Sequence, residues 1–424
     1  MDNPNPSRVT AKVVRRLIPW LFFCYIFNYM DRLNLSFAAL TFKSDLGIGD
    51  AAFGLGASVF FVGYVFLEIP SNLMLEKFGP RRWIARIMVS WGLVSSCMMF
   101  TRSETSFYIL RFLLGACEAG FLPGIAYMLT HWIPERERAR AFSLFLTSTT
   151  LAGVVGAPLA ALILQFNGFL GLKGWQWLFL LEGIPTIALG IGTWFFLDDR
   201  IEDARWLSAD EKTELRRTLE TDRAAQGNHL STLKDGLFHW RVWHMGILYF
   251  SIIISYYAIA FWLPQIVKNF SGLSNTQSTL LCSLPYLAAT IGMVLVAHHS
   301  DRVHERRWHV ALCCLAAALG LLGGAWLSTS HPIASFCALC LTATGIWGLL
   351  GPFWSIPPEF LKGTAAAAGL ALINSLGNVG GFIGPYLVGA VKERTHGFES
   401  GLVVLAATLL LAFFLTLALP RPRR

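Results

Sequence analysis

Asp31, Arg32, Arg111 and Glu118 stand inside stretches of this chain that are otherwise apolar enough to cross a membrane. A charged side chain at mid-bilayer costs about 2.5–3.5 kcal/mol or more, so such residues face a protein interior or a watery cavity and take part in moving ions or solutes. Arg111 and Glu118 are two helical turns apart, so on a helix they share one face about 10.5 Å apart along the axis. Arg32 falls about 22 Å along its own span and Arg111 about 8 Å into its span from the other side, which puts both at similar depth in a core of about 30 Å. Two guanidiniums at one level could clamp a carboxylate, because the planar fork gives paired hydrogen bonds and stays charged at any working pH.

A guanidinium cannot carry a proton in and out, whereas a carboxyl can. Burial favours the neutral carboxyl and a neighbouring arginine favours the ionised one, so Asp31 and Glu118 are the expected proton carriers, in competition with an anion for Arg32 and Arg111. The bland alternative is a structural ion-pair network that locks the first and fourth spans together. Glu68 and Glu182, also in apolar stretches, read equally well as gating or packing residues.

The elements that must hold these groups are membrane helices. The chain of 424 residues is 54% hydrophobic and only 14% charged, with a mean hydropathy of +0.53, too little polar surface for a soluble globule. Apolar stretches of about 20 residues, each matching the hydrocarbon thickness, recur near 17–39, 53–75, 83–101, 106–132, 140–166 and 175–197, and again near 242–267, 275–298, 309–329, 333–357, 365–391 and 401–419. The expected fold is therefore an all-α membrane protein of twelve transmembrane helices. Residues 198–241 form the longest polar stretch, and Ser208-Ala-Asp-Glu211 reads as a capping box opening a short amphipathic helix. The expected division is a six-helix bundle over 1–197, a cytoplasmic linker over 198–241 and a second six-helix bundle over 242–424.

Lys and Arg concentrate on one side of the spans: Arg8, Lys12, Arg15 and Arg16; Lys77, Arg81, Arg82 and Arg86; Arg136, Arg138 and Arg140; the linker; Arg302, Arg306 and Arg307; Lys362; and Arg421, Arg423 and Arg424. The other side holds Lys43, Arg102, Lys173, Lys268, Lys392 and Arg394. Basic residues are retained in cytoplasmic loops, so both termini are expected inside a bacterial inner membrane, in a monomer. The net charge of +8 follows from this bias and from attraction to anionic headgroups, and gives no reason to invoke nucleic acid.

All 8 cysteines lie in expected spans, where cysteine acts as a small apolar residue; neither a disulfide framework nor a metal site is expected. His298-His299 and His304-x4-His309 read as solvated loop histidines. There is no phosphate loop and no His-Glu-x-x-His pattern, so the reading is not an enzyme, and no cofactor is expected beyond a proton gradient.

Asn72-x3-Glu76-Lys77-x3-Arg81-Arg82 after the second span is matched by Ala297-x3-Asp301-Arg302-x3-Arg306-Arg307 after the eighth. A repeat in register at one topological place implies two pseudo-symmetric halves. Here the chain resembles the major facilitator superfamily, whose loop between helices two and three carries G-x-x-x-D-R-x-G-x-R-R. Asn72 replaces the glycine, Glu76-Lys77 replaces Asp-Arg in the first half, and Gly153-x-x-Gly156-x-Pro158 is similar to that family's glycine-proline motif. The likeness covers essentially the whole chain. By it, Glu76, Lys77, Arg81, Asp301, Arg302 and Arg306 are gating residues that latch helices in one conformation.

Tyr29-Met-Asp31-Arg32-Leu-Asn34, Arg111-x6-Glu118 and Trp206-Leu-Ser resemble, more narrowly, the anion:cation symporter family. That resemblance implies proton-coupled import of a small organic anion by alternating access. It also implies substrate contacts at Tyr29, Tyr64, Trp354 and Asn374, and Asn378 lies one turn further on the same face; each has an ordinary packing reading as well. Sugar acids and hydroxy-carboxylates such as tartrate suit two arginines with several amides and hydroxyls. An aromatic carboxylate of the phthalate or hydroxyphenylacetate type, or export instead of import, stays open. Patches such as Gly377-x-x-Gly380-Gly381-x-x-Gly384-Pro385 would let helices pack closely and bend.

Overall fold

The computed structural model describes residues 8–225, 237–328, 330–361 and 363–420. Lys362, Arg421, Arg423 and Arg424, assigned above to the basic side, and positions 226–236 of the linker lie outside them. The chain is 88% helical without strands among the described residues. The first half comprises α1 (Arg8–Leu46), α2 (Asp50–Phe78), α3 (Pro80–Phe100), α4 (Glu104–Trp132), α5 (Glu135–Phe166) and α6 (Gly174–Phe196). The linker helix α7 (Ala209–Ala225) follows. The second half comprises α8 (Trp240–Ser271), α9 (Asn275–Val303), α10 (Arg307–Leu327), α11 (Pro332–Trp354), α12 (Gly363–Thr395) and α13 (Glu399–Leu417).

Ten of these are long and apolar enough to span a bilayer. The 39-residue α1 and the 33-residue α12, the first carrying charges and the second rich in glycine and alanine, complete a set of twelve long helices in two bundles. Local chemistry sets the helix starts. Ser103, Ser208 and Ser274 each accept a backbone N–H three residues on, from Ser106, Glu211 and Gln277, satisfying donors that a helix start leaves unpaired. Pro80 and Pro332 occupy first turns, where a missing N–H costs nothing.

The bundles meet along three helix pairs, α1 with α8, α2 with α12 and α5 with α9. Counted as spans, these pair the first with the seventh, the second with the eleventh and the fifth with the eighth. Exchanging the halves maps this set onto itself, so the contact has the geometry of a pseudo-two-fold interface.

Polar ties cross that interface at several depths. At the face opposite the termini, the Asp50 carboxylate is paired with Lys43 of its own half and with Lys392 of the other half at 2.9 Å. Glu393 accepts the Ala51 backbone N–H at 2.6 Å, and Lys43 also donates to Gln265 at 3.3 Å. Both ammonium groups lie over the Trp262 ring, at 5.5 and 5.4 Å, so this seal is aromatic beneath and ionic above. Nearer the terminal face, Asn374 of α12 donates to Glu68 of α2 at 3.2 Å.

The closest packing in the first half is between α2 and α4. A Cβ built on Gly115 would lie 1.9 Å from the Phe60 carbonyl oxygen and one on Gly63 2.2 Å from that of Phe112, so only glycine lets these backbones touch. Helix α4 then breaks directly after Glu118: Gly120 has φ +88° and its missing Cβ leaves room for Ser71 Oγ. Left-handed backbone here is a glycine position.

Gly115→Ala should lower stability by roughly 1–3 kcal/mol through this clash, read as a reduced Tm of the purified protein, whereas Gly323→Ala, with 3.4 Å to its nearest neighbour, should be nearly silent. Lys392→Gln should loosen the seal at the face opposite the termini. A cysteine placed at Thr149, in a background lacking other reactive thiols, should then be labelled faster by an impermeant reagent from that face; unchanged labelling would show that the lysine pair is not a closure.

Candidate functional site

Helix α1 delivers Arg32 to the boundary between the halves. Its Nε donates to Glu118 Oε1 at 2.7 Å, Nη2 pairs with the same oxygen, and Nη1 donates to the Tyr257 hydroxyl of α8 at 2.8 Å. Arg32 and Tyr257 are separated by 225 positions, the offset of the loop repeat, so they are internal counterparts that meet near the symmetry axis. The guanidinium also lies over the rings of Tyr29, Phe60 and Tyr64 at 5.2–5.5 Å. Glu118 is 1% exposed, on the last turn before the α4 break.

Arg111 shares this level, because its guanidinium lies over the same Phe60 ring at 4.9 Å. It does not form the two-arginine clamp in this conformation. Its Nε and Nη2 donate to the Gly56 and Ala57 carbonyls at 3.2 and 3.3 Å, and Phe261 covers it at 5.6 Å. The close approach of α2 to α4 brings those carbonyls within reach. Arg111 is 1% exposed and is met only by carbonyl dipoles and ring faces; no carboxylate forms an ion pair with it among the described residues. Of the two buried guanidiniums, Arg32 alone is in direct contact with a carboxylate among the described residues. Glu68, bonded to Asn374, lies within electrostatic reach of Arg32 on the terminal side of the cluster.

No ion pair or hydrogen bond joins Asp31 to Arg32 or Arg111 among the described residues, which corrects the expectation that it competes directly with an anion for these two arginines. Asp31 points the other way, accepting Trp91 Nε1–H at 2.5 Å, Ser95 Oγ–H at 2.8 Å and Asn34 Nδ2–H at 3.3 Å, with Thr186 Oγ1 at 3.2 Å. Consecutive residues on a helix point about 100° apart, so Asp31 faces α3 and α6 while Arg32 faces α4 and α8. Glu182 of α6 adjoins Asp31 through Asn34, with its Oε2 and the Asn34 Oδ1 buried and unpartnered. The first bundle thus holds a second buried acidic cluster, with no cation in contact among the described residues.

The second half contributes neutral groups. Tyr29, Arg32, Leu33, Thr149, Tyr256, Tyr257, Ala260, Phe261, Tyr286 and Trp347 enclose a void of about 10 Å³, room for roughly one water. The Tyr256 hydroxyl bonds that of Tyr29 at 3.2 Å, while Tyr286 Oη, Trp347 Nε1 and, on α12, Asn378 Nδ2 are buried without partners. Buried donors are normally satisfied, so these are donors in waiting. Sequence reasoning missed Tyr256, Tyr257, Tyr286 and Trp347; the available signal was the Arg32–Tyr257 repeat offset. Tyr64 packs in the cluster with Phe60. Trp354 stacks edge-on against Tyr249 at 5.0 Å and does not line the void, and Asn374 is engaged by Glu68 rather than turned to it.

The loop motif ties each half to itself. Arg81 donates from its backbone N–H to Asp199 at 2.9 Å and from Nε to the Trp194 carbonyl at 2.6 Å, fastening the start of α3 to the end of α6. Burial raises the Asp199 carboxyl above the ordinary carboxylate range. In the second half, Arg307 Nε donates to the Thr416 carbonyl at 3.2 Å, and Arg306 pairs with Asp301 at 2.5 Å. Lys77 lies over Phe78. Glu76 and Arg302 are exposed, and no tie between the halves runs through any of these six in this conformation. His299 and His309 bond each other at 2.7 Å, and no metal-binding group of histidine, cysteine and acidic residues occurs among the described residues.

Residues 21–385 match the family model of the Major Facilitator Superfamily. A protein of Agrobacterium vitis provisionally named a tartrate transporter is 44% identical over 99% of this chain and 96% of its own length. A quinolone resistance transporter of Acinetobacter baumannii is 40% identical over 96% of this chain and 94% of its own. Among solved structures, the xylose transporter XylE of Escherichia coli, in a partially occluded inward-open conformation, superposes with a TM-score of 0.76 at 11% identity, covering 96% of this chain and all of its own. With its two six-helix bundles, its buried charges at their junction and a family match over most of its length, the chain belongs to the Major Facilitator Superfamily and is a multi-pass membrane transporter.

Proposed function

We propose that this transporter imports a small organic anion, a sugar acid or hydroxy-carboxylate, in symport with protons. The observation that carries the reading is Arg111, buried and, among the described residues, without a carboxylate partner, beside an Arg32 that is ion-paired with Glu118. A substrate carboxylate supplies the missing negative charge. Protonation of Glu118 would release Arg32, so that two guanidiniums face one anion, and the unpartnered Tyr286, Trp347 and Asn378 groups would serve its hydroxyls. Arg32 already turns two donors, Nε and Nη2, on one Glu118 oxygen; the same planar fork would take an anion's carboxylate, which lysine cannot reproduce. Asp31 is the second proposed proton carrier, since its negative charge is met by hydroxyl, amide and indole donors without a cation, and burying an unpaired ion costs several kcal/mol.

In the proposed cycle, the void opens for loading and closes around the anion. Deprotonation of Glu118 on the far side restores its pair with Arg32 and expels the cargo. The terminal face is assigned as cytoplasmic from the basic bias of its loops, with residues 1–197 and 242–424 as the moving halves and 198–241 as their tether, in a monomer of the bacterial inner membrane. The relative named for tartrate favours a polar dicarboxylate. The relative named for quinolone resistance favours a second reading, export, in which the same cluster runs an antiport.

L-tartrate in proteoliposomes decides between them. Inward acidic gradients should drive accumulation, while efflux alone, or tartrate indifference with exchange of an aromatic carboxylate, would replace the proposal. Glu118→Gln should keep tartrate counterflow but lose gradient-driven accumulation; accumulation that survives would remove Glu118 from coupling. Arg32→Lys should cost about ten- to a hundredfold in transport, corresponding to roughly 1.5–3 kcal/mol for a charge-assisted hydrogen bond. Normal transport by that variant would dismiss the bidentate clamp.

A further inference from the structure

A groove of about 950 Å³ lies outside the bundle junction, where the start of α1 meets the end of α6 and the linker. One stripe of α1 forms its floor: Arg8, Ala11, Lys12, Arg15, Arg16, Pro19, Trp20 and Phe23, spaced three and four apart, so all project to one side of the helix. The stripe changes character along its length. Its first two turns are basic and its last turn is apolar, with Phe23, 53% exposed, about 22 Å from Arg8 along the axis. Phe196, Trp206 and Glu211 form the facing wall.

The charges are only partly answered. Lys12 pairs with Glu211 at 2.7 Å, while no carboxylate partner is found for Arg8 or Arg15 among the described residues. Arg16 is pinned between Phe196 and Trp206, at 4.6 and 5.0 Å from their ring centres, and its Nε is buried without an acceptor. A fixed guanidinium with an open donor, two further cations and an apolar slope running into the depth of the membrane match a molecule with a phosphate at one end and hydrocarbon at the other. We infer that this groove is a binding site for an anionic phospholipid, its headgroup phosphate on Arg8, Arg15 and Arg16 and its acyl chain along Pro19, Trp20 and Phe23. Basic pockets at a membrane face are suited to such headgroups, and a free anion would leave the apolar half unused. Because Trp206 and Glu211 belong to the linker, an occupied groove clasps the linker to α1.

The full-length protein in a neutral detergent is titrated with phosphatidylglycerol, phosphatidylcholine or inorganic phosphate, reading Tm and the number of retained lipids by native mass spectrometry. Phosphatidylglycerol should raise Tm by several degrees and leave one tightly retained copy, and millimolar phosphate should do neither. Arg8→Gln with Arg15→Gln should remove most of that shift, and Phe23→Ser should weaken lipid retention. Arg82→Gln with Arg136→Gln, exposed cations elsewhere on the same face, should leave it intact. An equal response to phosphatidylcholine, an equal response to phosphate, a full shift in the Arg8/Arg15 variant or its loss in the Arg82/Arg136 variant would each overturn the assignment.

Discussion

The contact between Arg32 and Glu118 is the hinge of the whole arrangement. In a medium that solvates ions poorly, a guanidinium and a carboxylate hold each other strongly, and breaking such a pair by removing one partner leaves an uncompensated charge costing about 3–5 kcal/mol. Two events can dissolve it without that penalty: a proton taken up by the carboxylate, or another anion offered to the arginine. Tight backbone packing of α2 on α4 places Arg111 over the same Phe60 ring that Arg32 lies over. The break at Gly120 puts Glu118 at the end of a helical segment rather than in the middle of one.

The structure holds this cluster shut. A void with room for about one water cannot contain an organic solute, so loading a cargo there requires the two bundles to separate around Tyr257 and Tyr256. Among the described residues, two lysines, a shared aspartate and a capped helix end close the face opposite the termini, and toward the terminal face an amide–carboxylate bond joins Asn374 to Glu68.

Much of this could be read from the chain alone. Twelve apolar stretches, the linker capping box at Ser208 and the buried charges follow from composition and spacing, because those signals are local. Long-range partnerships are not local. Lys43, Asp50, Lys392 and Glu393 read as ordinary loop charges until the fold brings them together across 342 positions. Spacing alone could not say which way Asp31 turns: consecutive helix residues point about 100° apart, and only the packing of α3 and α6 shows that its carboxylate meets Trp91, Ser95 and Thr186 rather than the arginines. The loop motif is legible as a repeat but its partners are not, since Asp199, Trp194 and Thr416 sit far along the chain at the ends of the sixth and last spans.

The counterpart relation between Arg32 and Tyr257 bears on what substitution can change. At matching positions the two halves are unlike: the first presents a guanidinium where the second presents a phenol. Substitutions among the phenols and indoles of the second half can therefore change which molecule fits while the paired charges of the first half stay untouched.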